Sequence, residues 1–144
     1  GRYEVPAELL AKIQSVFGCG WASEDEVRAA IKSCWDANGY VIDPHTACGY
    51  HVFEKVAPAE GAKARVLLST ASPYKFAADV LTAVAGKNAV AGLDAFACSD
   101  ELEARSGMPV PQQVKALRSL PIRHTAHCEK GGMAQAVLDA FGGK

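Results

Sequence analysis

The sequence predicts an α/β fold, a small and mostly parallel sheet flanked by helices. Two observations predict it: stretches with apolar residues at helical spacing, and short continuous apolar runs set between them. A third bounds it, because 144 residues of which 49% are hydrophobic suit one globular domain, expected to span residues 1–144.

The first element runs from Pro6 to about Phe17, where Leu9, Leu10, Ile13, Val16 and Phe17 recur at helical spacing. Pro6 suits a first turn, and Gly18 and Gly20 stop the helix. The second opens on Ser23 and Glu26, a capping box, with Val27, Ile31, Cys34 and Trp35 on one face and Asn38-Gly39 at its end. Tyr40, Val41 and Ile42 give a short extended run that breaks at Asp43-Pro44. A helix from Thr46 to Val56 follows and is closed by Pro58.

Arg65 to Ser69, with Val66, Leu67 and Leu68 in one apolar run, is expected to be a buried strand. Ser72 and Pro73 open the next helix, which buries Phe76, Ala77, Val80, Leu81 and Val84 and ends at Gly86. Between Asn88 and Leu120 short helices are expected around Asp100 to Arg105 and Gln112 to Leu117, separated by Pro109 and Pro111. Pro121 to Cys128 is expected to supply an edge strand. Met133, Val137, Leu138 and Phe141 space a last helix that stops at Gly142-Gly143.

Charge excludes some partners. With 15 basic and 16 acidic residues the net charge is -1, and no run of like charge favours nucleic acid or an anionic membrane. No apolar stretch approaches the ~18 residues that span a bilayer, and no signal-peptide pattern opens the chain, so a cytoplasmic location is expected. The five cysteines are odd in number and widely spaced, which predicts reduced thiols. His124, His127 and Cys128 lack the paired spacing of a zinc site, so no metal is expected.

Two loops could carry chemistry. Leu67-Leu68-Ser69-Thr70-Ala71-Ser72-Pro73 sets three hydroxyls between the expected strand and a helix N-terminus, where open α/β sheets bind ligands. The plainer alternative is that Ser72 is only an N-cap and Thr70 only a turn residue. Asp43-Pro44-His45-Thr46-Ala47 also follows an extended run and opens a helix, so the two loops are expected to share one crevice. His45 could move protons and Asp43 could orient it, or Asp43 simply caps the helix. Cys48 could pair with His45 or His51 as a hydrolase nucleophile, but no oxyanion hole or third residue marks such a site.

The motifs D-P-H-T-A-C-G-Y, Asp43 to Tyr50, and L-S-T-A-S-P-Y-K-F, Leu68 to Phe76, resemble threonine synthase. So do G-M-P-V-P, Gly107 to Pro111, and the final helix. The resemblance implies the C-terminal portion of a pyridoxal 5'-phosphate (PLP) enzyme with the tryptophan synthase β-subunit type of fold. Such an enzyme converts O-phospho-L-homoserine and water into L-threonine and phosphate. It also implies that Thr70 hydrogen-bonds the pyridine nitrogen of PLP with Ser69 beside it, while Asp43, His45 and Thr46 lie on the substrate side. Ser72 stands where many relatives have histidine.

Lys75 matches the second motif but is not the Schiff-base lysine, which the family places in a Ser-Phe-Lys-Asp type motif not found here. The glycine-rich loop for the PLP phosphate is not found either. The resemblance therefore implies a partner, the N-terminal half of the same enzyme, and a chain that alone holds no PLP and has no turnover. The alternative from another class is a free-standing module that binds a small molecule or phosphate without catalysis.

Overall fold

The computed structural model describes residues 1–58 and 60–142. Among the described residues the α-helices are α1 (Ala7–Gln14), α2 (Glu24–Asn38), α3 (Pro44–Lys55), α4 (Ala77–Ala85), α5 (Ala95–Ser106), α6 (Gln112–Ala116) and α7 (Met133–Gly142). Short 3₁₀ turns precede α4 at Pro73–Phe76 and α7 at Lys130–Gly132, and follow α4 at Lys87–Val90 and α6 at Leu117–Ser119. Among the described residues no helix is long and apolar enough to cross a membrane.

Local chemistry sets the helix ends. The Ser23 backbone N–H donates to Glu26 Oε2 at 2.8 Å, and the Ser23 hydroxyl accepts from the Glu26 N–H, so the expected capping box opens α2. Gly39, in the left-handed region at φ 60°, closes it. Asp43 caps α3 with Pro44 in the first turn, and Asp94 caps α5 by accepting from the Ala97 N–H at 2.7 Å.

The core lies where α2, α3, α4 and α5 meet. Helix α2 packs on both α3 and α4, and α4 on α5, burying Ile31, Cys34, Ala47, Val80 and Leu102. Ala77, Leu81 and Cys98 close a second cluster between α4 and α5. The connector Val41-Ile42 is buried between helices and fills the centre of the bundle. Tyr74 is buried beneath the 107–111 loop, and its hydroxyl donates to the Met108 carbonyl. Glu103 holds the same loop: its Oε1 accepts from the Val110 N–H at 3.1 Å and from Lys115 at 3.0 Å.

The expected α/β architecture, with its small mostly parallel sheet, is corrected: among the described residues the regular elements are all helical, with no strand. Residues 65–69 are extended, but they lie along α3 instead of beside another strand. Arg65 Nη2 donates to the Phe53 carbonyl, and the guanidinium sits 3.6 Å from the Phe53 ring centroid. A Cβ placed on Gly49 would meet Leu67 Cδ1 at 3.1 Å, and Ser69 Oγ is 3.2 Å from Thr46 Oγ1.

The register has a simple cause. Two extended residues advance about 6.6 Å and one helical turn about 5.4 Å, so alternate residues of the run meet successive turns of α3. Residues 65, 67 and 69 face the helix, whereas Val66 and Leu68 are 78% and 75% exposed. The other two expected extended segments also lack ladders: Tyr40 to Ile42 is a core connector, and Pro121 to Cys128 is exposed throughout.

The expected helices are found, with shifts at their ends. Helix α3 begins at Pro44, two residues before the expected start, because the Asp43 carboxylate caps it there. The segment after Ser72 starts as a 3₁₀ turn before becoming α4, and α5 starts at Ala95, five residues before Asp100. The last helix reaches Gly142, and the expected stop at Gly143 lies outside the described residues. Neither α1 nor α7 buries a residue, so their apolar faces stand open.

Candidate functional site

The buried carboxylate of Asp43 organises the site. Its side chain is fully buried, yet it caps the N-terminus of α3, so its oxygens must be satisfied locally. Oδ1 accepts from the backbone N–H of His45 at 2.9 Å and of Thr46 at 3.3 Å. The His45 ring nitrogen Nδ1 is 3.2 Å from the same oxygen. Oδ2 accepts from the Thr46 hydroxyl.

Thr46 carries the arrangement to the second motif. Its Oγ1 is 3.2 Å from Ser69 Oγ, a contact between residues 23 positions apart. A hydroxyl has one proton, and the Thr46 proton is committed to the carboxylate, so the proton between the two hydroxyls comes from Ser69. The His45 ring also packs on Phe76, with centroids 5.0 Å apart and planes inclined by 54°. Two side-chain contacts therefore join the Asp43 loop to the 68–76 segment.

The remaining residues of the two motifs play different parts. Thr70 is exposed, and its hydroxyl makes no hydrogen bond among the described residues. Ser72 caps the 3₁₀ turn by accepting from the Tyr74 N–H at 3.3 Å. Lys75 is exposed, its ammonium 5.9 Å from the Phe76 ring centroid. Cys48 is half-buried and shares no hydrogen bond with His45 or His51 among the described residues. His124 and Cys128 are exposed, as is His127, whose Nδ1 contacts the Thr125 carbonyl at 3.3 Å. Among the described residues no three His, Cys, Asp or Glu side chains are placed to hold a metal ion.

The site is an open edge. His45 is 66% exposed at its side chain and Ser69 is exposed, so only Asp43 and Thr46 are shut away from water. An apolar groove of about 560 Å³ runs farther along α3, lined by Cys19, Cys48, Val52, Phe53, Arg65 and Val66 among others; none of Asp43, His45, Thr46, Ser69 and Thr70 lines it. Chemistry thus argues for the edge and not for the apolar groove.

Comparison with known proteins agrees with the motifs. A family model described as threonine synthase, C-terminal, matches residues 46–137, more than half the chain. The chain belongs to the threonine synthase C-terminal family. It is similar to the human protein threonine synthase-like 1, 34% identical over 83 residues, which is 57% of this chain and 11% of that protein. The mouse protein of the same name is 36% identical over 77 residues, 53% of this chain and 10% of its own length. These matches span about a tenth of each relative. Asp43, like the capping box, lies before the matched family residues, but the contacts of its carboxylate reach into them.

What pattern reading missed is the role of Thr46. By sequence it is a first-turn threonine of α3, and only the lie of residues 65–69 along α3 turns it into the link between Asp43 and Ser69. The single signal for that lie is Gly49, a helical glycine placed where Leu67 comes close.

Proposed function

We propose that this chain forms the C-terminal part of a PLP-dependent threonine synthase, which converts O-phospho-L-homoserine and water into L-threonine and phosphate. In this reading residues 1–144 act as one domain, in the cytoplasm, with the N-terminal half of the enzyme as partner. The lysine that anchors the cofactor and the loop that holds its phosphate come from that half. No nucleic acid or membrane is involved.

The observation that carries the reading is the 3.2 Å contact between the Thr46 and Ser69 hydroxyls, since it brings the two family motifs onto one edge. The donor set also fits the cofactor. Thr70 is exposed and its hydroxyl is uncommitted among the described residues, so it can donate to a neutral ring nitrogen. When bound, PLP supplies the electron sink for the reaction, and a neutral hydroxyl partner leaves its ring nitrogen largely unprotonated. Ser69 stands beside Thr70, and His45, oriented by Asp43, is the proton-carrying group on the substrate side.

The test has two arms. The 144-residue chain supplied with PLP and O-phospho-L-homoserine is expected to release no phosphate; turnover by it alone would refute the division of the active site between two halves. Joined to a segment carrying the cofactor lysine, the chain should turn over. In that assembled enzyme Thr70→Val should lower kcat at least tenfold, and an unchanged kcat would remove Thr70 from the cofactor site.

A further inference from the structure

We propose that Asp43 is a positioning residue that makes both Ser69 and His45 hydrogen-bond acceptors toward the ligand, leaving Thr70 as the donor. The proposal deepens the reading of this edge as ligand-facing and rests on it. A carboxylate has only acceptor capacity when ionised, and both oxygens of Asp43 are shut away from water although the site around them is open. Each group that touches it must therefore point a proton inward.

The two consequences follow in opposite directions along the chain. On one side, Thr46 gives its proton to Oδ2 and takes the Ser69 proton at 3.2 Å, so the Ser69 oxygen meets a ligand with its lone pairs. On the other side, His45 Nδ1, at 3.2 Å from Oδ1, must carry a proton, so the neutral ring keeps Nε2 as an acceptor. Thr70 has no internal partner among the described residues and is free to donate. Such an edge selects a group bearing N–H or O–H bonds, for which the ammonium of an amino acid is suited. It disfavours a bare phosphate oxygen, which would meet two acceptors.

Nuclear magnetic resonance on the 144-residue chain tests this without cofactor or turnover. At about pH 8.5, roughly two units above the ordinary imidazole value of about 6.5, the His45 nitrogen shifts should show Nδ1 protonated and Nε2 bare. The opposite tautomer would overturn the proposal. The three-bond Hα–Hβ couplings of Ser69 should report one rotamer in the wild type, averaging in Thr46→Val, and one rotamer again in Thr46→Ser. Valine is close in shape to threonine, so this pair does not depend on removing the Asp43 cap. Ser69 couplings that are already averaged, or that ignore Thr46→Val, would also overturn it.

Inorganic phosphate, added at constant pH and ionic strength, should leave the Ser69 and His45 resonances in place. A saturable shift at both would overturn the acceptor assignment and favour a phosphate-binding module. Failure of the function reading is separate, because an assembled enzyme indifferent to Thr70→Val leaves these couplings and tautomers untouched.

Discussion

At the scale of single residues, Asp43 is at once the cap of α3 and the acceptor for Thr46 and His45. Alanine at this position removes the cap, at about 1 kcal/mol, and strands the buried Thr46 hydroxyl, at about 1 to 3 kcal/mol. Asp43→Ala should therefore lose about 2 to 4 kcal/mol in urea unfolding, whereas Asp43→Asn, itself a good cap, should lose roughly 1 kcal/mol. Equal losses for the two would mean that the carboxylate does nothing beyond capping. Asp43 was legible in the sequence because Asp-Pro before a helix is a start signal, and its pairing with His45 was among the readings that pattern allowed. Thr46 entered the site only through the family resemblance, and its particular role was not legible, because that role comes from a partner 23 residues away. Short-range pattern carries no information about such a contact.

At the scale of elements, α2 offers a test of how far one cap controls a helix. Glu26 is held at a pKa of about 2, below its ordinary 4.5, first by the Ser23 backbone N–H and then by the Ser23 hydroxyl, with Lys55 adding less. A depressed carboxylate stabilises the fold fully above the unfolded value and ceases to do so as pH falls through the folded one. The Glu26 contribution is thus complete above about pH 4.5 and is lost between there and about pH 2. Amide exchange in the first turn of α2 should accelerate across that window more in the wild type than in Glu26→Gln, which has no charge to lose. Identical acid profiles would show that the ionised form is not what holds the cap. The His51 Nε2 lies 3.2 Å from Glu26 Oε1 without hydrogen-bond geometry and is left as a buried ring atom with no partner among the described residues, so it adds charge proximity and no bond. The helices were readable from 3.6-residue periodicity and caps because these are local properties. The sheet was not, since a short apolar run has the same letters whether it meets a strand or lies on a helix.

At the scale of the whole molecule, packing is concentrated in α2 to α5, and apolar surface remains outside it. Leu9, Ile13 and Phe17 on or just after α1, Val137 and Phe141 on α7, and Val66 and Leu68 on the extended run are all exposed. Single exposed apolar residues are ordinary, but side chains aligned on one face of an element add up to a surface that gains by being covered. The run at 65–69 is the sharpest case. Its odd-numbered residues are engaged by α3, so its even-numbered residues can be changed without touching the Thr46–Ser69 contact. The chain is expected to self-associate as concentration rises, and Val66→Lys with Leu68→Lys should shift sedimentation toward the monomer while leaving the circular dichroism spectrum unchanged. The charges oppose association because two lysines on adjacent outward positions must be desolvated or face their copies across the interface. If the double variant associates as strongly as the wild type, the covered surface belongs to α1 or α7, and lysines at Ile13 or Val137 should then separate those two faces.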